Sequence, residues 1–298
     1  MEHSRARVVR GSVCAALGGI CWGFSGTCGQ YLFSRFGVST LWLTCVRLLC
    51  AGILMLCMAL PKHRQDLIRI WKDPRDVLSL FLYGVFGLMM CQYAYMTSIS
   101  YSNAATTTVL QTLSLVIIML ISCFQVRRLP RRREVLSLLL ALLGTFLLAT
   151  GGDPRHMALS PKGLFWGLAT AGAVAVYTLL PRRLLSRWSR EAVSGIGMMM
   201  GGLVVNLGAR SWNFHISLPL SGWLAVAAIV VLGTTVSFSL FMQGVRDAGP
   251  VRSSMLSVTE PLSAAVFSAA WLGTSFSAVE LAGFAAILAT IFLLAKSE

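Results

Sequence analysis

The chain has 298 residues, of which 56% are hydrophobic and only 12% are charged, and its formal net charge is +14. An ordinary soluble domain is about 25% charged, so this composition excludes a soluble globular protein. The Lys and Arg residues lie almost wholly in short segments between apolar blocks. Loops of membrane proteins have that pattern, whereas a nucleic-acid-binding surface would gather the positive charge on one face.

Ten apolar blocks follow one another along the chain, each long enough to cross a hydrocarbon core of about 30 Å. Backbone groups in lipid must form internal hydrogen bonds, so the blocks are predicted to be helices. The first block follows a basic N-terminus but is too long for a signal peptide, and we interpret it as a retained membrane helix. The predicted spans are residues 12–33, 39–60, 77–99, 103–124, 134–150, 162–180, 191–209, 219–243, 250–272 and 277–295.

Proline residues and basic loops refine this topology. Pro61 and Pro74 are predicted to bracket the second loop, and Pro181 to close the sixth span. With the N-terminus inside, 20 of the 25 Lys and Arg residues fall on the cytoplasmic side and four on the outside, and the remaining one, Arg47, lies within a span. Arg155 is among the outer four and Lys296 among the inner ones. This bias predicts that both termini lie in the cytoplasm.

The chain also contains an internal repeat. A shift of 146 residues places Gly87–Ala149 on Gly233–Ala295 without a gap, with Gly87 on Gly233 and Glu134 on Glu280. We therefore predict two five-helix units, residues 1–152 and 153–298. Five is an odd number, so the second unit enters the membrane inverted, and the basic loops change sides between the units as this requires. The predicted fold is an all-α membrane protein of ten transmembrane helices in two inverted five-helix repeats.

Several short motifs resemble those of the drug/metabolite transporter superfamily, specifically the EamA-type ten-helix exporters. The motifs are Trp22-Gly23 and Trp166-Gly167, Arg47 in the second span, the turns 102–105 and 247–250, Glu260-Pro261, and Glu134 and Glu280. The resemblance covers essentially the whole chain. The family often has a Pro where this chain has Leu115, so a pair of symmetric Pro hinges is not predicted here. The resemblance implies export of amino acids or related metabolites, with aromatic amino acids among the known substrates.

Two ionisable residues lie clearly inside predicted spans, Arg47 and Glu260. Such residues are costly in lipid and either pair with each other or line a wet cavity. Arg47 is a candidate to hold a substrate carboxylate or to neutralise Glu260, with a packing role as the alternative. Glu260 is a candidate substrate contact or proton carrier, with a structural role as the alternative. Glu134 and Glu280 are placed at helix N-termini, where a carboxylate suits the helix dipole.

Polar side chains at helical spacing form two stripes. Asn103, Thr107, Gln111 and Ser114 share one face of the fourth span, and the 146-residue shift maps the last three onto Ser253, Ser257 and Glu260. Two such stripes facing each other would line a central path, although Ser and Thr stripes also join helices by hydrogen bonds. Further candidates for the substrate pathway are Gln92, Tyr95, Trp22, Trp166, Tyr177 and Gln243.

The inverted repeat predicts a secondary transporter that works by alternating access, and the family resemblance implies that it exports small metabolites, such as amino acids, across the bacterial plasma membrane. The expected partners are the small-molecule substrate and the lipid bilayer, with proton coupling and exchange left as alternatives and no nucleic acid. No metal or other cofactor and no enzymatic activity is predicted, and the ATP-binding pattern GxxxxGK[ST] does not occur. The alternatives are a carrier for phosphorylated or nucleotide-linked sugars, and, from another class, a membrane enzyme or a receptor.

Overall fold

The computed structural model describes residues 2–153, 157–210, 213–214 and 216–295, and over these residues the protein is all-helical, without a β-strand. Arg155 and Lys296, which the charge count above includes, lie outside the described residues. The long helical segments are α1 (Glu2–Phe36), α2 (Thr40–Arg69), α3 (Pro74–Tyr101), α4 (Ala104–Gln125), α5 (Arg132–Thr150), α6 (Pro161–Leu179), α7 (Arg190–Ala209), α8 (Leu220–Ala248), α9 (Pro250–Leu256 and Thr259–Leu272) and α10 (Ala278–Ala295), and a short helix, Arg182–Arg187, follows α6.

By length and composition, eight of the described helices can cross a membrane, and these are α1 to α8. The apolar part of α10, Ala278–Leu293, is shorter, and α9 is built from two pieces. Most of these helices follow the predicted spans closely, because the apolar runs end where turn-forming residues begin, but α1 begins at Glu2, before its predicted span, and α2 ends at Arg69, beyond its predicted span. The part of the prediction that the structure establishes is thus an all-helical chain with eight membrane-spanning candidates.

Capping residues explain where several helices begin. The Asp73 side chain accepts a hydrogen bond from the Arg75 N–H at 3.0 Å, and Pro74 occupies the first turn of α3. The same arrangement starts α6, where Ser160 Oγ accepts from the Gly163 N–H. Each cap satisfies a backbone donor that has no partner within its own helix. The local sequence therefore determines where these helices start, and with that the position of the following side chains along the helix.

The second loop is shorter than predicted, because Pro61 does not end α2. The helix continues to Arg69 through a bend at His63, whose φ of −131° and ψ of 29° are not helical. A proline removes one helical hydrogen bond and bends a helix without always ending it. Beyond the bend, the Asp66 carboxylate accepts the Ser189 N–H at 3.0 Å and Ile70 is fully buried. These tertiary contacts hold the extension in place.

Four of the described helices are irregular near their centres. Both α3 and α8 contain a π-helical segment, Tyr83–Met89 and Val231–Val236 respectively. In α4 the Leu113 N–H bonds to the Leu110 carbonyl, and in α9 the helix is interrupted at residues 257–258. Such segments leave backbone groups free for other partners and occur often at functional sites. All four irregular segments surround the middle of the molecule.

The helices pack in defined pairs. α1 packs on α8 and α9, α2 on α7, α3 on α6, α4 on α6 and α9, and α5 on α10. Glycines permit the close crossings: a Cβ at Gly23 would lie 2.5 Å from the Glu260 carbonyl oxygen, and one at Gly144 would lie 2.8 Å from the Gly283 carbonyl oxygen. Small residues at such crossings let helix backbones approach within van der Waals distance in a membrane.

Ion pairs join the helix ends on the side where α1 begins. Arg10 donates to the Asp247 carboxylate at 2.8 and 3.1 Å, which ties α1 to the end of α8. Arg187, in the segment after α6, contacts Asp76 at 2.8 Å and Asp73 at 3.0 Å. The hydrogen bond from Arg187, with that from the Arg75 N–H, holds the pKa of Asp73 below its ordinary value. Both contacts fasten the helices that surround the centre of the molecule.

Candidate functional site

A cavity of about 160 Å³ lies at the centre of the molecule, where the irregular segments of α3, α4, α8 and α9 meet α1, α2, α6 and α7. Pockets for drug-sized ligands measure about 300–1,000 Å³, so this one suits a small metabolite. Its wall combines aromatic rings, amides and hydroxyls, and Arg47 and Glu260 are the charged residues in it among those described.

Half of the predicted pathway residues line this cavity. They come from distant parts of the sequence and meet only through helix packing. The seven are Trp22, Arg47, Gln92, Tyr95, Gln111, Tyr177 and Glu260.

Arg47 is held by the π-helical segment of α8. Its Nε donates to Thr234 Oγ1 at 3.2 Å and its Nη2 to the Gly233 carbonyl oxygen at 3.1 Å. The Thr234 hydroxyl in turn donates to the Ile229 carbonyl oxygen at 3.2 Å. The side chain is 5% exposed. The π-helical segment of α8 thus supplies one side-chain and one backbone acceptor, and these make a buried guanidinium tolerable.

Glu260 lies at the interruption of α9, where the second piece of that helix begins. Its backbone N–H bonds to the Ser257 carbonyl oxygen at 3.0 Å, and Pro261 follows without an N–H of its own. The Glu260 carbonyl accepts the Ser263 hydroxyl at 2.9 Å. Its carboxylate forms no salt bridge with Arg47, although both side chains line the same cavity. The cavity therefore has one positive and one negative group that are not joined to each other.

Aromatic side chains form much of the remaining wall. The Trp22 and Phe241 rings pack with centroids 5.2 Å apart, which fixes the Trp22 ring between α1 and α8. Tyr83 of α3 and Ser194 of α7 also line the cavity. Rings with hydroxyl or amide neighbours offer apolar area together with a few hydrogen-bonding groups. The wall is accordingly suited to an amphiphilic molecule.

The structure places most of the α4 stripe outside the cavity wall. Asn103 caps α4 by accepting the Thr106 N–H at 2.8 Å. Thr107 is fully buried and bonds to Ser98 at 2.9 Å and Ser102 at 3.2 Å, so it joins α4 to α3. Ser114 is also buried, at 5% exposure. Of the four residues of this stripe, Gln111 alone lies in the described cavity wall, two residues before the irregularity at Leu113.

The remaining four candidates for the substrate pathway lie outside the described cavity wall. Ser253 is fully buried, and Ser257 lies at the break of α9. Trp166 packs edge-to-face on Tyr93 with centroids 5.2 Å apart. Gln243 donates to Asp247 at 2.7 Å. None of the four is in the cavity wall that the structure describes. A role for them in transport stays a prediction.

Eight further wall residues were not predicted from the sequence. On α3, Leu88 and Cys91 precede Gln92 and Tyr95 at spacings of a single helical face, so extending that face backwards would have found them. The wall residues of α7 and α8 include pairs four residues apart, Ser194 with Met198 and Thr234 with Phe238. These residues carry no charge and form no unusual pattern, so the sequence offered no signal for them. The eight are Tyr83, Leu88, Cys91, Ser194, Met198, Gly233, Thr234 and Phe238.

The helix-terminal carboxylates have structural partners, as predicted. Glu134 accepts Arg128 at 2.7 and 2.8 Å and the Arg131 N–H at 2.6 Å. Glu280 and Ser277 cap the start of α10 reciprocally, at 2.8 and 3.2 Å. Both glutamates satisfy the first turn of their helix and lie away from the cavity.

The model of the EamA-like transporter family matches residues 9–150 and, separately, residues 161–296. The chain therefore belongs to the EamA-like transporter family, which confirms the resemblance drawn from the motifs.

Individual relatives agree with this membership. An uncharacterised inner membrane transporter, YicL of Salmonella typhimurium (strain LT2), is 36% identical over 285 residues, which cover 96% of this chain and 95% of the relative. An uncharacterised transporter, YetK of Bacillus subtilis, is 23% identical over 74% of this chain and 68% of its own length. A solved crystal structure superposes with a TM-score of 0.64 at 19% identity, covering 97% and 96% of the two chains, and supports the fold. The chain is a multi-pass membrane transporter of the plasma membrane.

Proposed function

We propose that the chain is a secondary exporter of small amphiphilic metabolites, amino acids among them, and that it works by alternating access. The observation that carries this proposal is the central cavity, which lies against four irregular helix segments and holds Glu260 at the interruption of α9. Discontinuous helices beside a midplane site are a recurrent design of secondary transporters. Rearranging such helices would expose the cavity to one side of the membrane at a time.

The packing supports two inverted five-helix repeats, residues 1–152 and 153–298. In two such repeats each of α1 to α5 corresponds to the helix five positions later, so α1 corresponds to α6, α3 to α8 and α4 to α9. The packed pair α1–α8 then corresponds to the packed pair α6–α3, and the pair α1–α9 to the pair α6–α4. In each of the pairs α2–α7, α4–α9 and α5–α10, a helix packs against its own counterpart in the other repeat. The 146-residue shift also carries the π-helical segment of α3 onto that of α8 to within two residues. A pseudo-two-fold axis in the membrane plane would produce this pattern.

This topology has ten transmembrane helices with both termini in the cytoplasm. A reporter fused at Glu298, which lies outside the described residues, should be active only as a cytoplasmic reporter. A reporter that is active outside would contradict both the orientation and the inversion of the second repeat.

The composition of the cavity supports the substrate class. Tyr83, Tyr95, Tyr177 and Trp22 provide ring surface, while Gln92 and Gln111 provide amide groups. A phosphorylated or nucleotide-linked sugar would bring two or more negative charges, and Arg47 is the one cation in the described wall. An amphiphile with little net charge fits this wall better.

Counterflow in proteoliposomes tests the proposal. Purified protein loaded with an unlabelled amino acid should accumulate the labelled form transiently, since only a carrier exchanges substrate across the membrane. The series should include aromatic and aliphatic amino acids, and each should be measured with and without a pH gradient to separate proton coupling from exchange. If no amino acid exchanges while another small metabolite does, the substrate class is wrong and the carrier mechanism stands.

A further inference from the structure

The Arg47 guanidinium uses only part of its hydrogen-bonding capacity. Nε and Nη2 are occupied by Thr234 and Gly233 of α8. The third nitrogen, Nη1, is buried and has no hydrogen-bond partner in the part of the chain that the structure describes. The residue is 5% exposed and lies in the cavity wall.

A buried cationic donor without an acceptor is costly, and native proteins rarely leave one. The other charged residue of the described wall, Glu260, is not within salt-bridge distance of Arg47. The two hydrogen bonds to α8 fix the plane of the guanidinium, and with it the position of Nη1. One donor of this cavity-wall residue thus has a fixed position and no acceptor in the described part of the chain.

We propose that Nη1 of Arg47 binds the carboxylate of the transported molecule, and that Thr234 and Gly233 position the guanidinium for this contact. The inference rests on the proposed function and names the substrate class more closely. A molecule with a carboxylate at Arg47 and an ammonium group toward Glu260 is a zwitterion, as an α-amino acid is. A single free nitrogen suits a carboxylate monoanion, whereas a phosphate dianion needs several cationic donors.

The wild-type protein can be tested with matched compounds. Phenylalanine, phenylalaninamide and phenethylamine share the ring and the amine, but only phenylalanine has the carboxylate. Loss of a charge-assisted hydrogen bond weakens binding about tenfold or more. We therefore expect the amide and the amine to compete in counterflow at least about tenfold less well than phenylalanine. Equal competition by all three compounds would overturn the proposal while leaving the transporter mechanism intact.

Substitution of the arginine should remove this discrimination. Arg47→Gln is expected to bind phenylalanine and phenylalaninamide equally weakly. The exposed Arg246 of α8 offers a control, since Arg246→Gln removes the same charge away from the cavity and should keep the wild-type selectivity. If Arg47→Gln retains the preference for the carboxylate, another group binds it.

A binding measurement keeps the test independent of transport. Benzoate should raise the thermal unfolding temperature of the wild-type protein more than benzamide does at the same ionic strength, and Arg47→Gln should respond equally to both. If no amino acid is transported, the amino-acid assignment fails, and this comparison still decides the role of Arg47. A wild-type protein that responds equally to benzoate and benzamide would refute it.

Discussion

Arg47 and Glu260 line the same cavity, yet the Arg47 guanidinium donates to Thr234 and Gly233 of α8 and not to the Glu260 carboxylate. Two opposite charges left apart in a buried site cost free energy that a direct pair would recover in part. Separated charges can instead interact with opposite ends of one substrate. The arrangement therefore favours a binding role for both side chains over a purely structural one.

Glu260→Gln is expected to reduce counterflow at least about tenfold, because the amide removes the negative charge that would face a substrate ammonium group or carry a proton. The unfolding temperature should change little, since the carboxylate forms no salt bridge. Counterflow rates measured across a pH series check this. The matched control is Glu280→Gln, which alters a helix cap outside the cavity and should transport normally. Wild-type rates with an unchanged pH profile in Glu260→Gln would show that the carboxylate is structural.

Gln111 tests access to the cavity. In a background without the eight native cysteines, Gln111→Cys should react with a polar thiol reagent, and substrate should slow the reaction because it occupies the same space. Leu142 of α5 is 60% exposed in the isolated protein and should face lipid, so Leu142→Cys should resist the same reagent. Ser257→Cys shows whether the path extends along α9. If Gln111→Cys is as inert as Leu142→Cys, the cavity is not on the substrate path.

Gly23 tests the crossing of α1 with α9. A Cβ there would lie 2.5 Å from the Glu260 carbonyl oxygen and 2.8 Å from the Ala264 N. Gly23→Ala should therefore destabilise the protein by about 1–3 kcal/mol, because backbone atoms cannot yield as a flexible side chain does. Gly172→Ala is the control, since a Cβ at that position of α6 meets nothing within 4 Å and a helical Gly→Ala change at a compatible site stabilises by about 0.4–1 kcal/mol. Thermal unfolding of the two variants should move in opposite directions. Equal shifts would contradict the close crossing.

Asp73 predicts a pH-dependent contribution to stability. Arg187 and the Arg75 N–H lower the pKa of Asp73 in the folded protein, so the stabilising effect is complete above the unfolded value, near 3.8, and is lost as the pH falls through the lower folded value. Asp73→Asn keeps a capping oxygen but loses the charge. The variant should unfold at a lower temperature than wild type at pH 7, and the difference should shrink under acid conditions below the ordinary Asp range. If the difference in unfolding temperature between wild type and Asp73→Asn does not change with pH, the stabilising effect of Asp73 comes from the helix cap alone and not from its charge.

The sequence determined the features that depend on the chain alone. Long apolar runs must form helices in lipid, and the helices α1 to α8 appear where those runs were found. The residues at the helix starts, such as Asp73 and Ser160, set the boundaries through local hydrogen bonds. The EamA-type motifs identified the family. The Pro61 boundary was wrong because tertiary contacts, at Asp66 and Ile70, hold α2 together beyond the proline.

Only the tertiary structure decided which polar residues face the cavity. Thr107 and Gln111 lie one helical turn apart on one face of α4, but Thr107 is buried against Ser98 of α3, while Gln111 reaches the cavity beside the break at Leu113. The spacing of polar residues in the sequence shows that they share one face of a helix. It does not show which neighbouring helix packs against each turn of that face. The acceptors for Arg47 likewise come from a π-helical segment 186 and 187 residues away in the chain. A cavity of this kind is created by the packing of separate helices, which local sequence patterns do not specify.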